Sequence, residues 1–343
     1  MESESVREQN PFTKGWVEWI RKNLELEVSA SAMTEAMVRD GIDKTIAEAM
    51  IETARLLGGE SGTSGNSTTR AAKMEWILDS LARSDRARSS EIQTKKSISN
   101  EEFYESFYFS NEPLILTGWD EVKAIRDDLS WNALSKRYGE EEVEIQEGRN
   151  ADQYYERNSN EHKSVVKFRE FLDRVLRDDE DNDVYLTANN GKRNDEVFSS
   201  ITNSNRWMPD ILDRENHKGK AFLWIGPKGT VTQLHHDLTN NLLLQVSGSK
   251  SVKLFPPCYF TRIYNDFHCY TGFDCDHPDY ERFPLVEEIN MRECILEEGQ
   301  ALFLPVGWWH QVRSLSPSIS ITAVNFHHYN RFPDQYTTHW DIS

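Results

Sequence analysis

At 343 residues, with 57 acidic side chains against 39 basic ones and a formal net charge of −18, the chain argues against a generic grip on nucleic acid, and its acidic surface serves either solubility or a basic partner such as a basic peptide. Hydrophobic residues at 38% and aromatics at 11% are enough to fill a core, which excludes wholesale disorder. No uncharged apolar run approaches the roughly 18 residues of a membrane-spanning helix, and the start MESESVREQN lacks the parts of an export signal, so a cytoplasmic protein, or a nuclear one in a eukaryote, is expected rather than a secreted one.

From Pro11 to Leu57 apolar residues recur at helical spacing: Trp16, Trp19 and Ile20, then Met33, Met37 and Val38, then Ile46, Ala49 and Met50. Gly41 marks a break, and Asp43 is the expected cap of the next helix. Residues 1–57 are therefore expected to form a small helical module, for which peptide capture, self-association and plain packing all stay open. The stretch GGESGTSGNSTTR, residues 58–70, has the composition of a linker. Beyond it, Met74 to Leu81 and Glu101 to Phe109 read as short helices, Pro113 to Gly118 and Val143 to Gln146 as strands, and Phe168 to Leu176 as a helix. The acidic run Arg177 to Asp183 leads into a further extended piece, Val184 to Thr187. From Ala221 onward strands and turns dominate: Phe222 to Ile225, Leu242 to Val246, Ser251 to Phe255, Ala301 to Leu304 and Ser318 to Phe326. Helices first and short strands later predict a mainly β domain over residues 71–343, a sandwich or barrel with helical decoration.

Cys258, Cys269, Cys275 and Cys294 lack the short paired spacing of a zinc ribbon or redox pair, so reduced structural thiols are expected. A zinc set of His268, Cys269, Cys275 and His277 is the alternative, because all four are ligand types within one loop-like stretch.

The chemistry concentrates in Thr232-Gln233-Leu234-His235-His236-Asp237. Side chains alternate along a strand, so His235 and Asp237 share a face and His236 takes the other. A third ligand has to come from elsewhere, and His310, after a strand and a Pro/Gly turn in Leu304-Pro305-Val306-Gly307-Trp308-Trp309, is the candidate. Two imidazoles and one carboxylate on one side of an ion leave the opposite positions open, which is the donor set of non-haem Fe(II) oxygenases, although zinc accepts the same groups.

The longer pattern is Thr232-x-x-His235-x-Asp237-x-x-x-Asn241, then Gln245-Val246-x-Gly248-x-Lys250, Leu254-Phe255-Pro256-Pro257, and Gly299-x-x-Leu302-Phe303-Leu304-Pro305-x-x-Trp308-Trp309-His310. In this order it resembles the JmjC-domain 2-oxoglutarate oxygenases, and within them the cupin-type protein hydroxylases that include factor inhibiting HIF. The resemblance covers about residues 97–326. It implies a double-stranded β-helix, a jelly-roll barrel with the metal in its mouth, and Fe(II), 2-oxoglutarate and O2 as the reacting set. It further implies that Lys250, Thr232 and Tyr185 hold the distal carboxylate of 2-oxoglutarate and that Asn241 and Asn325 face the cofactor pocket, with structural hydrogen bonding an equal alternative for the two amides. His327 stands where that hydroxylase has an aromatic residue, so the final strand departs from the pattern. Retention of Asp237 favours hydroxylation over halogenation.

The activity so implied is hydroxylation of a protein or peptide side chain. N-methyl-lysine demethylation, hydroxylation of a small molecule or tRNA, and a non-catalytic cupin binding module are the alternatives. Since the sequence ends soon after the last expected strand, the long C-terminal helices through which some members of the resembled family dimerise are not expected, and the oligomeric state stays open.

Overall fold

The computed structural model describes residues 14–25, 28–58, 65–119, 125–188, 191–330 and 332. Pro11 to Thr13 of the expected helical stretch, and residues 59–64 of the expected linker, lie outside this set. No described helix is long and apolar enough to cross a membrane. The chain divides into two compact units, one within Met1–Arg88 and Cys258–Ile289, the other within Ser89–Pro257 and Asn290–Thr337.

The first unit is built on helices α1 (Lys14–Glu25), α2 (Ala30–Arg39), α3 (Lys44–Gly58) and α4 (Gly65–Arg86). Ser29 caps α2 by accepting from Ala32 N, and the Asp43 carboxylate accepts from Thr45 N and Ile46 N, satisfying backbone donors that the first turn of α3 leaves open. Ile20, Met33, Met37, Ala47, Met50 and Ile51 form the buried core. Val38 and Ala49, expected on the apolar stripes, are exposed, and Ala47 and Ile51 take the inner positions instead. At 100° per residue a neighbour one position away can hold either edge of a stripe. Helix α4 starts at Gly65, so residues 65–70 of the stretch read as linker are helical, and Met74, Trp76, Ile77 and Leu81 are exposed on it. The segment 258–289, placed by sequence in the oxygenase domain, packs in this unit. Tyr264 Oη donates to Asn23 Oδ1, Tyr259 Oη to Ala82 O, and Arg262 pairs with Asp79. It carries the short antiparallel pair β9 (Asn265–Phe267) and β10 (Tyr270–Thr271).

The second unit contains strands β1 (Gln93–Lys95), β2 (Leu114–Leu116), β3 (Glu142–Gln146), β4 (Lys163–Lys167), β5 (Ala221–Gly226), β6 (Val231–His236), β7 (Asn241–Ser247), β8 (Lys250–Phe255), β11 (Arg292–Leu296), β12 (Ala301–Leu304), β13 (Trp309–Ser314) and β14 (Ser318–Ala323). One sheet runs β1-β2-β12-β7-β14-β5, and in this unit the other runs β11-β8-β13-β6. Apart from the parallel pair β1 and β2, their pairings are antiparallel. Strand β7 shows why the core takes this form. Leu242, Leu244 and Val246 join the large cluster that also holds Phe103, Phe168 and Trp207, while Leu243 turns the other way to meet Val252, Leu254 and Val312 of the opposite sheet. A strand covered on both faces reads as a continuous apolar run, which Leu242-Leu243-Leu244 is. The expected helix from Glu101 is α-helical over Asn100–Phe103 and widens to a π-turn over Tyr104–Tyr108. The expected piece Val184 to Thr187 makes only isolated bridges, Tyr185 with Gln146 and Leu186 with Ile225. Those bridges fix Tyr185 between β3 and β5.

Candidate metal centre

Register brings the two imidazoles together. Strands β6 and β13 pair antiparallel with His235 directly opposite His310, and directly opposed side chains on one face have Cβ atoms about 5 Å apart. The ring centres lie 4.3 Å apart. Asp237 follows the last residue of β6 on the same side, with its Oδ1 3.7 Å from His235 Nε2 and its Oδ2 3.7 Å from His310 Nε2. His236 points the other way, its ring 4.8 Å from that of Trp309. The three ligand atoms lie within 4.8 Å of one another, and among the described residues this is the one group of three placed to share an ion. His268, Cys269, Cys275 and His277 form no second such group.

Backbone carbonyls set the tautomers. His235 Nδ1 donates to Gln233 O at 2.7 Å and His310 Nδ1 to Trp308 O at 3.0 Å. A carbonyl only accepts, so both Nδ1 atoms carry the proton and both Nε2 lone pairs face the shared point. Burial and the neighbouring His310 hold His235 below the ordinary imidazole pKa, which favours the neutral, ligating form, against the opposing pull of Asp237. Asn241 Nδ2 donates to Asp237 Oδ2. Of the two roles weighed for this amide, the structure supplies a bond that orients a metal-ligand carboxylate. Asn240, which the sequence reading passes over, accepts from Val306 N at 2.9 Å and receives Asn330 in turn, tying the turn before His310 to the loop after Asp237. The Asn240-Asn241 doublet ahead of an apolar strand was the available signal.

Lys250 opens β8 immediately after the turn at Gly248, whose φ of 73° only glycine adopts freely. A Cβ there would also lie 2.3 Å from Pro317 O. Lys250 is 2% exposed, no carboxylate pairs with it among the described residues, and burial lowers its pKa from 10.5 to about 7. Its Nζ donates to Tyr185 Oη at 3.4 Å. Tyr185 also hydrogen-bonds Thr232, and burial raises its pKa above the ordinary phenol value. Tyr185 fits because Gly226 has no side chain: a Cβ there would lie 2.8 Å from Tyr185 Cδ2. A dry cation with the Tyr185 hydroxyl beside it and no anion is a cradle for a carboxylate. Among the described residues, Asn325 makes no hydrogen bond to Lys250, Thr232 or Tyr185. Its Nδ2 donates to Asp213 O at 2.8 Å and its Oδ1 is buried without a partner.

The matching family model, described as a cupin-like domain, spans residues 99–334. The chain belongs to this cupin-like family. It is 43% identical over 103 residues to Lysine-specific demethylase JMJ30 of Arabidopsis thaliana, covering 29% of this chain and 24% of that one. It is 30% identical over 239 residues to Jumonji C domain-containing protein 5 of Drosophila melanogaster, covering 65% and 56%, and 39% identical over 136 residues to HSPB1-associated protein 1 of Rattus norvegicus, covering 37% and 27%. The aligned segments thus span less than two thirds of each relative. The donor set fits a divalent ion with open positions, and two imidazoles with one carboxylate suit iron.

Proposed function

We propose that this protein is an Fe(II)- and 2-oxoglutarate-dependent oxygenase that hydroxylates a side chain of a protein or peptide. The observation that carries the reading is the convergence of His235, Asp237 and His310 in the same unit as a buried Lys250 that lacks an anion. His235, Asp237 and His310 hold the iron, and Asn241 keeps the carboxylate turned toward it. Lys250 neutralises the distal carboxylate of 2-oxoglutarate, and Tyr185 and Thr232 complete its hydrogen bonds. Bound there, iron would activate dioxygen, one oxygen atom of which enters succinate as 2-oxoglutarate loses CO2 while the other is inserted into a C–H bond of the substrate. The net charge of −18 supports a basic peptide as substrate rather than a nucleic acid.

The narrower likeness to factor inhibiting HIF rests on the ordered sequence motifs from Thr232 to His310. The named relatives support a place in the JmjC group as a whole and favour a second reading, N-methyl-lysine demethylation, since one of them is called a lysine-specific demethylase. Both readings share the iron chemistry and differ in the carbon attacked. Mass spectrometry of peptides from host cells with and without the protein decides between them. Gain of one oxygen supports hydroxylation, loss of methyl groups supports demethylation, and no iron-dependent succinate release from wild type with any substrate rejects both in favour of a binding module.

A further inference from the structure

Arg149 lies wholly buried in the turn Arg149–Ala151. Its Nη2 donates to Val231 O at 2.7 Å and to Glu156 Oε1 at 2.9 Å. Its guanidinium sits 4.3 Å from the centre of the Tyr155 ring and 5.1 Å from that of Tyr185, while Tyr155 Oη donates to the same Val231 carbonyl at 3.0 Å. The Nε and Nη1 of Arg149 are buried without a hydrogen-bond partner. Burying a guanidinium is costly unless its surroundings draw on it.

Its neighbours supply the reason. Val231 directly precedes Thr232, and Thr232 is bonded to Tyr185, so Arg149 grips both neutral donors of the carboxylate cradle: one through the backbone, the other through its ring. Glu156, 5% exposed, offsets the charge of Arg149, and Lys250 is left as the cation of the cradle that no carboxylate of the described residues answers. One net positive charge matches one distal carboxylate.

We infer that Arg149 is a positioning residue for the oxo acid, holding Tyr185 and Thr232 in place and, through Glu156, keeping the cradle at a single positive charge. This inference rests on the 2-oxoglutarate reading above. Without Arg149, the Glu156 carboxylate stays buried near Tyr185 without its cation, and its charge opposes that of an incoming carboxylate.

The test is anaerobic calorimetry of 2-oxoglutarate into Fe(II)-loaded wild type, Arg149→Met and the double variant Arg149→Met/Glu156→Gln, with iron affinity and circular dichroism alongside. Arg149→Met is expected to weaken 2-oxoglutarate binding at least about tenfold with iron affinity unchanged, and the double variant to recover at least about threefold of that loss, because no lone carboxylate remains. Binding by Arg149→Met within about twofold of wild type, or no recovery in the double variant, overturns the inference. Should Arg149→Met fail to fold, the double variant is compared with wild type directly; a loss of about threefold or more supports the inference and equal binding overturns it. A wild type that takes up iron but binds no 2-oxoglutarate sinks the oxygenase reading itself, and with it this inference.

Discussion

Replacing Lys250 by Met keeps an unbranched apolar side chain, one atom shorter, and removes its charge, and the structure sets opposite signs for the effects on folding and on ligand binding. Folding without ligand strands an ammonium in a dry site, which is why burial takes its pKa from 10.5 to about 7. At about 1.36 kcal/mol per pH unit, that gap corresponds to a cost on the order of 5 kcal/mol when the lysine is charged in both states. The folded pKa lies below the unfolded one, so between about 7 and 10.5 the unfolded chain binds the extra proton and stability rises with pH. Lys250→Met is therefore expected to stabilise the ligand-free protein by an amount on the order of 4 kcal/mol at pH 7, falling to about 2 kcal/mol at pH 9 and vanishing above 10.5. The same variant forfeits a charge-assisted hydrogen bond to the oxo acid, about 1.5–3 kcal/mol, or roughly 10- to 150-fold in 2-oxoglutarate affinity. Urea unfolding of both proteins at pH 7 and 9, with calorimetric titration of 2-oxoglutarate, measures both effects. A variant that is less stable without ligand and still binds 2-oxoglutarate as wild type does refutes the reasoning.

Other substitutions separate the parts of the site. Asn241→Ala removes the donor on Asp237 Oδ2 and is expected to weaken Fe(II) binding about 10- to 100-fold in a chelator competition, and unchanged affinity would show the amide to be dispensable. Gly226→Ala brings a Cβ to 2.8 Å from Tyr185 Cδ2, so it should raise the KM for 2-oxoglutarate while leaving iron affinity intact; a parallel loss of both would point to general misfolding. For 2-oxoglutarate itself, affinity is expected to fall as pH rises above about 7, where the free protein loses the Lys250 proton, and to become nearly flat with pH in Lys250→Met.

Much of the centre was legible because ligand chemistry is carried by residue type. A His, an Asp two positions on, and a second His after a Pro/Gly turn offer a metal donor set, which the longer motif pattern around them singles out. Their convergence depends on the register of β6 against β13, a pairing across more than seventy positions that no local pattern specifies. Lys250 and Tyr185 were legible only through family resemblance, since a lysine after a turn glycine reads as exposed and an isolated bridge leaves little period to read. Arg149 was invisible: in EGRNADQYYER a lone arginine reads as a solvated loop residue, and its burial arises from packing against Tyr155, Tyr185 and Val231. The segment 258–289 misled for the same reason, because continuity along the chain suggests one domain while its partners lie in α1 and α4.

The account stands most directly on where iron and the oxo acid bind. Crystals grown anaerobically with Fe(II) and 2-oxoglutarate, with diffraction data collected at the iron edge, should show one iron bonded to His235 Nε2, a carboxylate oxygen of Asp237 and His310 Nε2, and the distal carboxylate of 2-oxoglutarate against Lys250 Nζ. Iron held by any other residues, or an oxo acid with its distal carboxylate away from Lys250, contradicts it.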